Sequence, residues 1–258
     1  MELDPTIYQV GYSKSFAEYQ YDPSIRNQKA HKTLSVVMDH YGGAEPLKRL
    51  SLLDIGCSAG LMTVKYAEFF GRTVGVDIDE PAVSFARREF ETDRLTFESA
   101  DAMETGFDDG TFDVATCTHI YEHVPDARRL LQEIHRILKP GAVCYFVAQN
   151  RITIIEPHYF LPFLSMLPKP LAHIYYRLAG KGRRYYETLL TAGQLRRLVS
   201  SFEVIDYTER IIADPLSFSA EEMITPGSLK QKLALFVIRK AYFLCPTYVW
   251  LLRKGTGR

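Results

Sequence analysis

Short apolar runs alternate with longer amphipathic stretches between residues 45 and 150, and this alternation most restricts how the chain folds. The apolar runs have the length of buried strands, and the stretches between them carry apolar residues at helical spacing. Strands that alternate with such helices form parallel βαβ units with right-handed crossovers. The chain is therefore predicted to form an open, doubly wound α/β sheet, whose ligands bind at the carboxyl ends of the strands.

The pattern assigns five strands and three helices to this part of the chain. The predicted strands are 51–55, 73–77, 95–98, 113–117 and 142–148, and the predicted helices are 60–70, 80–90 and 126–138. Two further runs, 202–209 and 247–253, are predicted to complete a mostly parallel, Rossmann-like sheet of seven strands.

The predicted organisation has four parts. Residues 1–44 form a tyrosine-rich arm and an N-terminal cap helix over 23–41, and residues 45–150 form the ligand-binding core. Residues 151–190, here called the lid segment, break the alternation with prolines, aromatic and basic residues just after the fifth strand, and we interpret them as a lid of short helices. Residues 191–258 return to the same sheet and add a strongly apolar helix over 228–244.

Composition limits the partners that the chain can have. Lys plus Arg and Asp plus Glu both number 31, so no global field attracts nucleic acid, and no nucleic-acid partner is expected. The basic residues on the helix over 228–244 would suit peripheral contact with a membrane, but packing against the sheet or a partner subunit is favoured.

The first residues, MELDPTIYQV, do not have the pattern of a signal peptide. The four cysteines lack metal or disulfide spacing, so a cytoplasmic chain with reduced thiols is expected.

The first candidate binding loop follows the strand 51–55. Gly56 allows a tight turn, and Gly60 allows the next helix to pack closely on the sheet. Helix packing alone would also explain both glycines. Asp54 precedes them, and a carboxylate there suits a ligand with an ammonium group and no phosphate. This favours S-adenosyl-methionine over NAD, and the missing G-x-G-x-x-G motif likewise disfavours an NAD-dependent oxidoreductase.

Two further candidate loops follow the second and third strands. Asp77 closes the second strand, where a carboxylate accepts hydrogen bonds from two vicinal ribose hydroxyls, although it would equally cap the helix that begins near Glu80. Asp101 follows the third strand and is a candidate to bind an adenine amino group. Each signal is weak alone, but the three loops in order at successive strand ends predict a nucleoside site.

These motifs carry a family resemblance. The stretches LLDIGCSAG, VGVDID, SADAM, FDVATCTHIYEHVPD and RILKPGA resemble the class I S-adenosyl-methionine-dependent methyltransferases, in particular the broad group related to ubiquinone-biosynthesis O-methyltransferases. The resemblance covers roughly residues 50–148 and is specific for cofactor and reaction. It implies an enzyme that uses S-adenosyl-methionine and releases S-adenosyl-homocysteine.

The resemblance also implies which residues surround the cofactor. The methionine part is assigned to the first loop, the ribose to Asp77, the adenine to the third loop, and the sulfonium to the end of the fourth strand. Ser58 stands where the family usually has glycine, and its hydroxyl is small enough to fit the turn and contact the cofactor. The predicted cofactor-binding residues are Asp54, Gly56, Ser58, Gly60, Asp77, Ile78, Asp101, Ala102, Thr118, His119 and, on the tyrosine-rich arm, Tyr12.

The acceptor side is predicted from histidines. His123 and His158 are the candidates for a catalytic base or for substrate positioning, since a hydroxyl acceptor must lose its proton. Alternatively, Glu122 and His123 satisfy local backbone groups at the start of a helix. Some relatives bind a divalent cation through E-x-x-E-H at this place. Because His119 occupies the first position here, the set does not favour magnesium, and no metal is predicted.

Together these features predict methyl transfer to a small or lipid-like acceptor, with an oxygen preferred over nitrogen or carbon. The apolar residues of the lid segment and its basic cluster (Lys181, Arg183, Arg184) would enclose a hydrophobic substrate with an anionic end. Ordinary packing with a solvated basic loop explains them equally well. The alternative function is a catalytically silent, methyltransferase-like binding or regulatory subunit.

Overall fold

The computed structural model describes residues 22–256, and within them one sheet has seven strands in the order β3-β2-β1-β4-β5-β7-β6. Neighbouring strands run parallel except where β7 pairs with β5 and β6. This confirms the predicted mostly parallel, Rossmann-like sheet. The strands are β1 (Ser51–Ile55), β2 (Arg72–Asp77), β3 (Leu95–Ser99), β4 (Phe112–Thr118), β5 (Leu138–Gln149), β6 (Glu203–Asp206) and β7 (Thr247–Arg253).

Helices cover both faces of this sheet. The predicted N-terminal helix is present with its predicted bounds: the side chain of Asp22 accepts hydrogen bonds from the first turn, and Gly42 ends the helix with a φ of 77°. The tyrosine-rich arm, with Tyr12, lies outside the described residues. The helices are α1 (Pro23–Tyr41), α2 (Leu61–Ala67), α3 (Glu80–Phe90), α4 (Ala127–Ile137), α5 (Lys169–Leu178), α6 (Ala192–Leu198), α7 (Thr208–Ala213) and α8 (Leu229–Lys240).

Two apolar clusters lie on opposite sides of the sheet. On one side, Leu130 and Ile134 of α4 pack with Leu53 and Trp250 of the strands. On the other, α1 contributes Ala30, Leu34 and Val37 to a cluster with Leu52 and Tyr145. Because alternate residues of a strand point to opposite faces, Leu52 and Leu53 enter different clusters. Each fully buried aliphatic side chain contributes about 1.5–3 kcal/mol, so burial on both faces fixes the register of the central strands.

Several element boundaries differ from the sequence prediction; for example, the helix predicted over 60–70 ends at Ala67. β5 begins at Leu138 rather than residue 142, since Leu138 pairs with Phe112 before the register shifts. The strand predicted over 202–209 ends at Asp206, and Thr208–Ala213 forms the short helix α7 instead. The apolar helix over 228–244 ends at Lys240 and is followed by the 3₁₀ turn Tyr242–Leu244.

α8 packs less completely than the sequence suggests. Gln231 and Ile238 are its buried residues, whereas Leu229, Leu233 and Phe236 are exposed. Packing against the sheet was the favoured interpretation, and it holds for one side of this helix. Within residues 22–256, no helix combines the length and apolar character that crossing a membrane requires.

The lid segment has a small core of its own. It contains the 3₁₀ turn Leu164–Met166 and α5, which pack around a cluster of five buried residues. Two basic side chains hold it together from inside: Arg151 donates to the carbonyls of residues 165–167, and Lys169 donates to the carbonyls of residues 185–187. The buried residues are Leu164, Ala172, Tyr176, Tyr185 and Leu189.

Candidate functional site

Two adjoining cavities lie where β1, β2 and β4 end and the lid segment begins. The larger has a volume of about 680 Å³, and the smaller, about 70 Å³, shares Gly56, Asp77 and His123 with it. Every described residue of the predicted site lines one of them except Gly60. The larger cavity is lined by Asp54, Gly56, Ser58, Asp77, Thr118, His119, His123 and His158, and the smaller adds Ile78, Asp101 and Ala102.

The first turn needs its two glycines for different reasons. Both have positive φ, 76° at Gly56 and 78° at Gly60. A Cβ on Gly56 would lie 2.1 Å from Cδ1 of Ile120, beside the cavity. A Cβ on Gly60 would lie 2.7 Å from the ring of Phe97, so Gly60 serves the packing of α2. Helix packing therefore explains Gly60, and the cavity wall explains Gly56.

Asp54 presents a buried carboxylate to the larger cavity. Its Oδ1 accepts a hydrogen bond of 2.5 Å from the Thr116 hydroxyl, and its Oδ2 accepts one of 2.6 Å from Thr63. Burial raises the pKa of Asp54 to about 6 in spite of these two bonds. The ionised form is therefore costly without a ligand, and a cationic group in the cavity would stabilise it.

Asp77 shapes the turn as well as facing the cavity. Its Oδ2 accepts the backbone N–H of Ser58 at 2.8 Å, and its Oδ1 accepts that of Asp79 at 2.9 Å. Burial raises its pKa. The N-cap of α3 is Asp79, so Asp77 is not that helix's N-cap. Each carboxylate oxygen has a second lone pair, which leaves room for ribose hydroxyls.

The remaining strand ends are arranged in the same manner. Oδ1 of Asp101 accepts the backbone N–H of Met103 at 2.8 Å, which fixes the loop around the smaller cavity.

On the opposite side, α1 contributes Arg26 and Lys29 to the larger cavity, and sequence reasoning missed both. Burial, followed by the charges of Arg26 and Lys32, lowers the pKa of Lys29 to about 8.

On the lid side, His158 is held by Glu156. Nδ1 of His158 lies 2.6 Å from Oε1 of this fully buried carboxylate, whose Oε2 accepts the backbone N–H groups of His158 and Tyr159. Burial alone would lower the pKa of His158. The hydrogen bond to Glu156 and the charges of Glu156, Glu187 and Glu122 raise it above its ordinary value.

His123 lies against His158, but its pKa is shifted in the opposite direction. The two rings are perpendicular, with centroids 4.8 Å apart, and Nδ1 of His123 is 4.0 Å from Oε1 of Glu187. Burial lowers the pKa of His123 below its ordinary value, although Glu122 and Glu187 oppose the shift. Within this pair, His158 is therefore the more basic and His123 the less basic group.

Glu122 stands between the two sides of the site. It is buried, and among the described residues neither of its carboxylate oxygens has a hydrogen-bond partner; Nδ1 of His119 is 3.5 Å away. Burial alone would raise its pKa, but His119, His123 and His158 bring it below the ordinary value. The carboxylate thus satisfies no backbone group, and the interpretation of Glu122 as a local backbone cap does not hold for its side chain.

Glu122, His123 and His158 also form a group that can hold a metal ion. One ligand atom from each lies within 4.8 Å of the others, an arrangement that the sequence did not predict. Two imidazoles and one carboxylate suit a transition metal rather than magnesium. The sequence prediction of no metal remains a prediction.

Sequence reasoning missed Glu156 and Glu187. Both are fully buried, and the Tyr159 hydroxyl donates to Oε1 of Glu187 at 2.8 Å. One signal was available: they are the two acidic residues of the lid segment and stand among aromatic and apolar neighbours. A carboxylate in such a setting is retained in a fold when it has a partner or a function.

Comparisons with known proteins identify relatives of this chain by sequence and by fold. The model of a family described as a methyltransferase domain matches residues 53–146. The ubiquinone biosynthesis O-methyltransferase of Coxiella burnetii is 27% identical over 161 residues, which cover 59% of this chain and 68% of that protein. A sterol 4-C-methyltransferase of Caenorhabditis elegans is 31% identical over 126 residues, which cover 46% of this chain and 37% of that protein.

A solved structure extends the comparison to the whole fold. The CurJ carbon methyltransferase superimposes with a TM-score of 0.57 at 16% sequence identity, covering 98% of this chain and 62% of the other. At this identity the solved structure is evidence for the fold alone. The two relatives found by sequence transfer methyl groups to oxygen or to carbon, according to their names, and support neither an oxidoreductase nor a catalytically silent subunit.

Proposed function

The chain belongs to the class I S-adenosyl-methionine-dependent methyltransferases, and from this premise we propose that it methylates a hydroxyl oxygen of a small, lipid-like acceptor. The acceptor would lie between the ends of β4 and β5 and the lid segment. The observation that carries the proposal is the pair of His158 and Glu156, a basic imidazole held by a buried carboxylate at the wall of the cofactor cavity.

The walls of the cavity support an apolar acceptor. On the lid side it is lined by Ile155, Pro157 and Phe160, next to the two histidines. An apolar pocket with a few convergent polar groups is typical of sites for small, mostly hydrophobic ligands. The names of two relatives, which refer to ubiquinone and to a sterol, point to the same class of acceptor.

The opposite wall fits the cofactor. Asp54 would hold the ammonium group, which explains why a buried carboxylate is kept there at a cost in stability. Asp77 would bind the ribose and Asp101 the adenine, with Ile78 and Ala102 beside the base. When bound, S-adenosyl-methionine supplies a methyl group whose transfer leaves a neutral thioether. The residues around it bind, orient and exclude water.

His158 would act as the base. With Nδ1–H donated to Glu156, the lone pair of Nε2 is free to take the proton of the acceptor hydroxyl. The carboxylate of Glu156 stabilises the imidazolium that forms, as in other histidine–carboxylate pairs. Because the pKa of His158 is raised, it is a stronger base than His123.

The test is transfer of a labelled methyl group from the cofactor to a panel of phenols, lipid alcohols and amines. His158→Ala is expected to lower kcat by about 10²–10⁴-fold, the usual contribution of a general base. His135→Asn is the matched control, because His135 lies at the end of α4 against Phe202, away from both cavities. Transfer to amines alone, or full activity of His158→Ala, would contradict the proposal.

The pH profile tests the role of Glu156 separately. His158 must be neutral to accept a proton, so the rate should fall as pH decreases through its raised pKa. Glu156→Gln removes the charge that raises this pKa, so the acidic limb should move to lower pH while kcat decreases. An acidic limb that stays in place would show that Glu156 has only a structural role.

A further inference from the structure

The lid segment carries an uneven distribution of charge. In a chain whose basic and acidic residues are equal in number, this segment has six basic residues and two acidic ones. Both acidic residues, Glu156 and Glu187, are fully buried. Its solvent-facing surface therefore carries no carboxylate of its own. The exposed cations are Arg177, Lys181, Arg183 and Arg184.

The same surface is unusually apolar. α5 buries Ala172 and Tyr176 on its inner side and exposes Leu171, Ile174 and Leu178 on its outer side. These three residues have the i, i+3, i+7 spacing of one helical face. Leu178 is 82% exposed. A helix whose outward face is aliphatic lacks the polar surface that water normally favours.

The loop before α5 extends this apolar surface to the mouth of the cavity. Ile154, Phe160 and Phe163 are exposed, Phe160 to 66%. Phe160 and Phe163 have φ values of 58° and 56°, a left-handed conformation that bulky residues adopt rarely. Because Ile155 and Phe160 are both exposed and line the cavity, the apolar surface and the acceptor site are continuous.

We propose that the lid segment docks on the surface of an anionic lipid bilayer. The aliphatic face of α5 and the side chains of Phe160 and Phe163 would enter the headgroup region, while the four exposed cations contact lipid phosphates. An acceptor dissolved in the bilayer would then reach His158 by passing Ile155 and Phe160. Docking would bring a lipid-like acceptor to the site. Only this delivery of the acceptor rests on the proposed function.

Charge favours a bilayer over a second copy of this chain. In a two-fold dimer through this face, each patch would meet its own copy, and the exposed cations would oppose one another without carboxylates from the segment to offset them. α8 is different, because Arg239 on it pairs with Glu209 of α7 at 2.7 Å. The apolar residues of α8 thus lie beside opposite charges, as in ordinary protein contacts.

The experiment is flotation of the 258-residue chain with vesicles, without acceptor or cofactor. The chain is expected to bind vesicles of phosphatidylcholine mixed with phosphatidylglycerol, to bind pure phosphatidylcholine weakly, and to lose binding at high salt. Phe163→Ser with Leu178→Ser should weaken binding roughly tenfold or more, since neither side chain could then enter the bilayer. Lys181→Glu with Arg183→Glu should weaken it by at least roughly 25-fold, at about fivefold for each lost cation.

Matched controls separate the lid segment from general surface effects. Leu216→Ser removes an exposed leucine between α7 and α8. Lys48→Glu with Arg49→Glu makes the same charge change just before β1, at the amino-terminal end of the strands and so away from the lid segment. Both should bind vesicles as the wild type does. Thermal stabilisation by S-adenosyl-homocysteine should persist in every variant, which shows that each is folded.

Three outcomes would overturn the docking proposal. These are absence of binding to anionic vesicles, equal losses in the lid and control variants, and a wild-type dimer in sedimentation velocity that Phe163→Ser with Leu178→Ser dissociates. The last result would assign the surface to a second copy. Vesicle binding without any methyl transfer to lipid acceptors would leave the docking intact and reject the proposed function instead.

Discussion

The two sides of the larger cavity satisfy their polar groups in different ways. On the cofactor side, Asp54 and Asp77 accept hydrogen bonds from threonine hydroxyls and backbone N–H groups close to the strand ends. On the proposed acceptor side, neither carboxylate oxygen of Glu122 has a hydrogen-bond partner among the described residues, and the imidazoles of His119, His123 and His158 act on its charge instead. The first side holds its carboxylates with hydrogen bonds from neighbouring loops, whereas on the second side imidazoles from two parts of the chain offset the charge of Glu122.

This difference shows how a fold can combine a fixed reaction with a variable substrate. The groups proposed to bind the cofactor lie at the ends of neighbouring strands and are positioned by the sheet itself. The acceptor groups depend on how the lid segment folds back over the sheet, so changes in that segment can alter the substrate without disturbing the cofactor loops. The four predictions below test this division.

The largest effect is expected from Asp77→Ala. At a hundredfold excess over its Kd, S-adenosyl-homocysteine should stabilise the wild-type chain by about 2.7 kcal/mol. The variant should lose most of this gain, because it lacks the ribose acceptor and the carboxylate that holds Ser58 N–H. Asp93→Ala, an exposed aspartate before β3, is the control. Thermal denaturation with and without ligand measures the difference, and an unchanged ligand titration would remove Asp77 from the site.

Asp54→Asn should stabilise the free chain while weakening cofactor binding. The pKa of Asp54 in the folded chain is about 6, whereas an ordinary aspartate has a pKa of 3.8, so the folded chain holds this proton more tightly than the unfolded chain. Ionisation of Asp54 therefore costs stability at pH 7, and the cost disappears as pH falls towards 4. The variant should gain about 2 kcal/mol at pH 7 and little at pH 4 in urea unfolding. A loss of stability at pH 7 would contradict this account of the carboxylate.

Ser58→Gly should have a smaller effect, limited to stability. Ser58 has a φ of 50°, where a side chain is strained, and glycine should gain about 0.5 kcal/mol of unfolding free energy. Ser219 has a φ of 49° outside the site, but its hydroxyl is hydrogen-bonded to that of Ser35. In chemical denaturation, Ser219→Gly should therefore gain less stability than Ser58→Gly. If Ser58→Gly weakens the binding of S-adenosyl-homocysteine and Ser219→Gly does not, the Ser58 hydroxyl contacts the cofactor.

Metal removal should have no effect on catalysis. With His158 as the base, dialysis against a chelator is expected to leave the rate of methyl transfer unchanged, even though Glu122, His123 and His158 can converge on an ion. Metal analysis of the purified chain and activity after zinc addition complete the measurement. If the rate falls with the chelator and returns with a transition metal, a bound metal ion and not His158 activates the acceptor.

The sequence predicted which strand-end residues lie together, but it did not predict the carboxylates that surround the histidines. The glycine turn, Asp77 and Asp101 belong to short motifs at strand ends, and a parallel sheet brings such ends together by geometry alone. Glu156 and Glu187 became visible only in the structure, because 30 residues separate them and the lid segment joins them through Tyr159 and Tyr185. No periodic pattern encodes such a contact.

The differences in the fold have local physical causes. The helix predicted over 126–138 ends at Ile137, because Leu138 begins β5 by pairing with Phe112. After Asp206, the chain turns because that side chain accepts the backbone N–H of Thr208 at the start of α7. Such turns depend on tertiary partners, which apolar patterning does not report.

A crystal structure of the chain with S-adenosyl-homocysteine tests the central claim most directly, that one cavity joins the strand-end carboxylates to the histidines of the acceptor side. The account predicts ribose hydroxyls on Asp77, the amino group of the amino acid near Asp54, and the sulfur facing the wall formed by His123 and His158. A nucleoside bound elsewhere, or a sulfur directed away from both histidines, would contradict it.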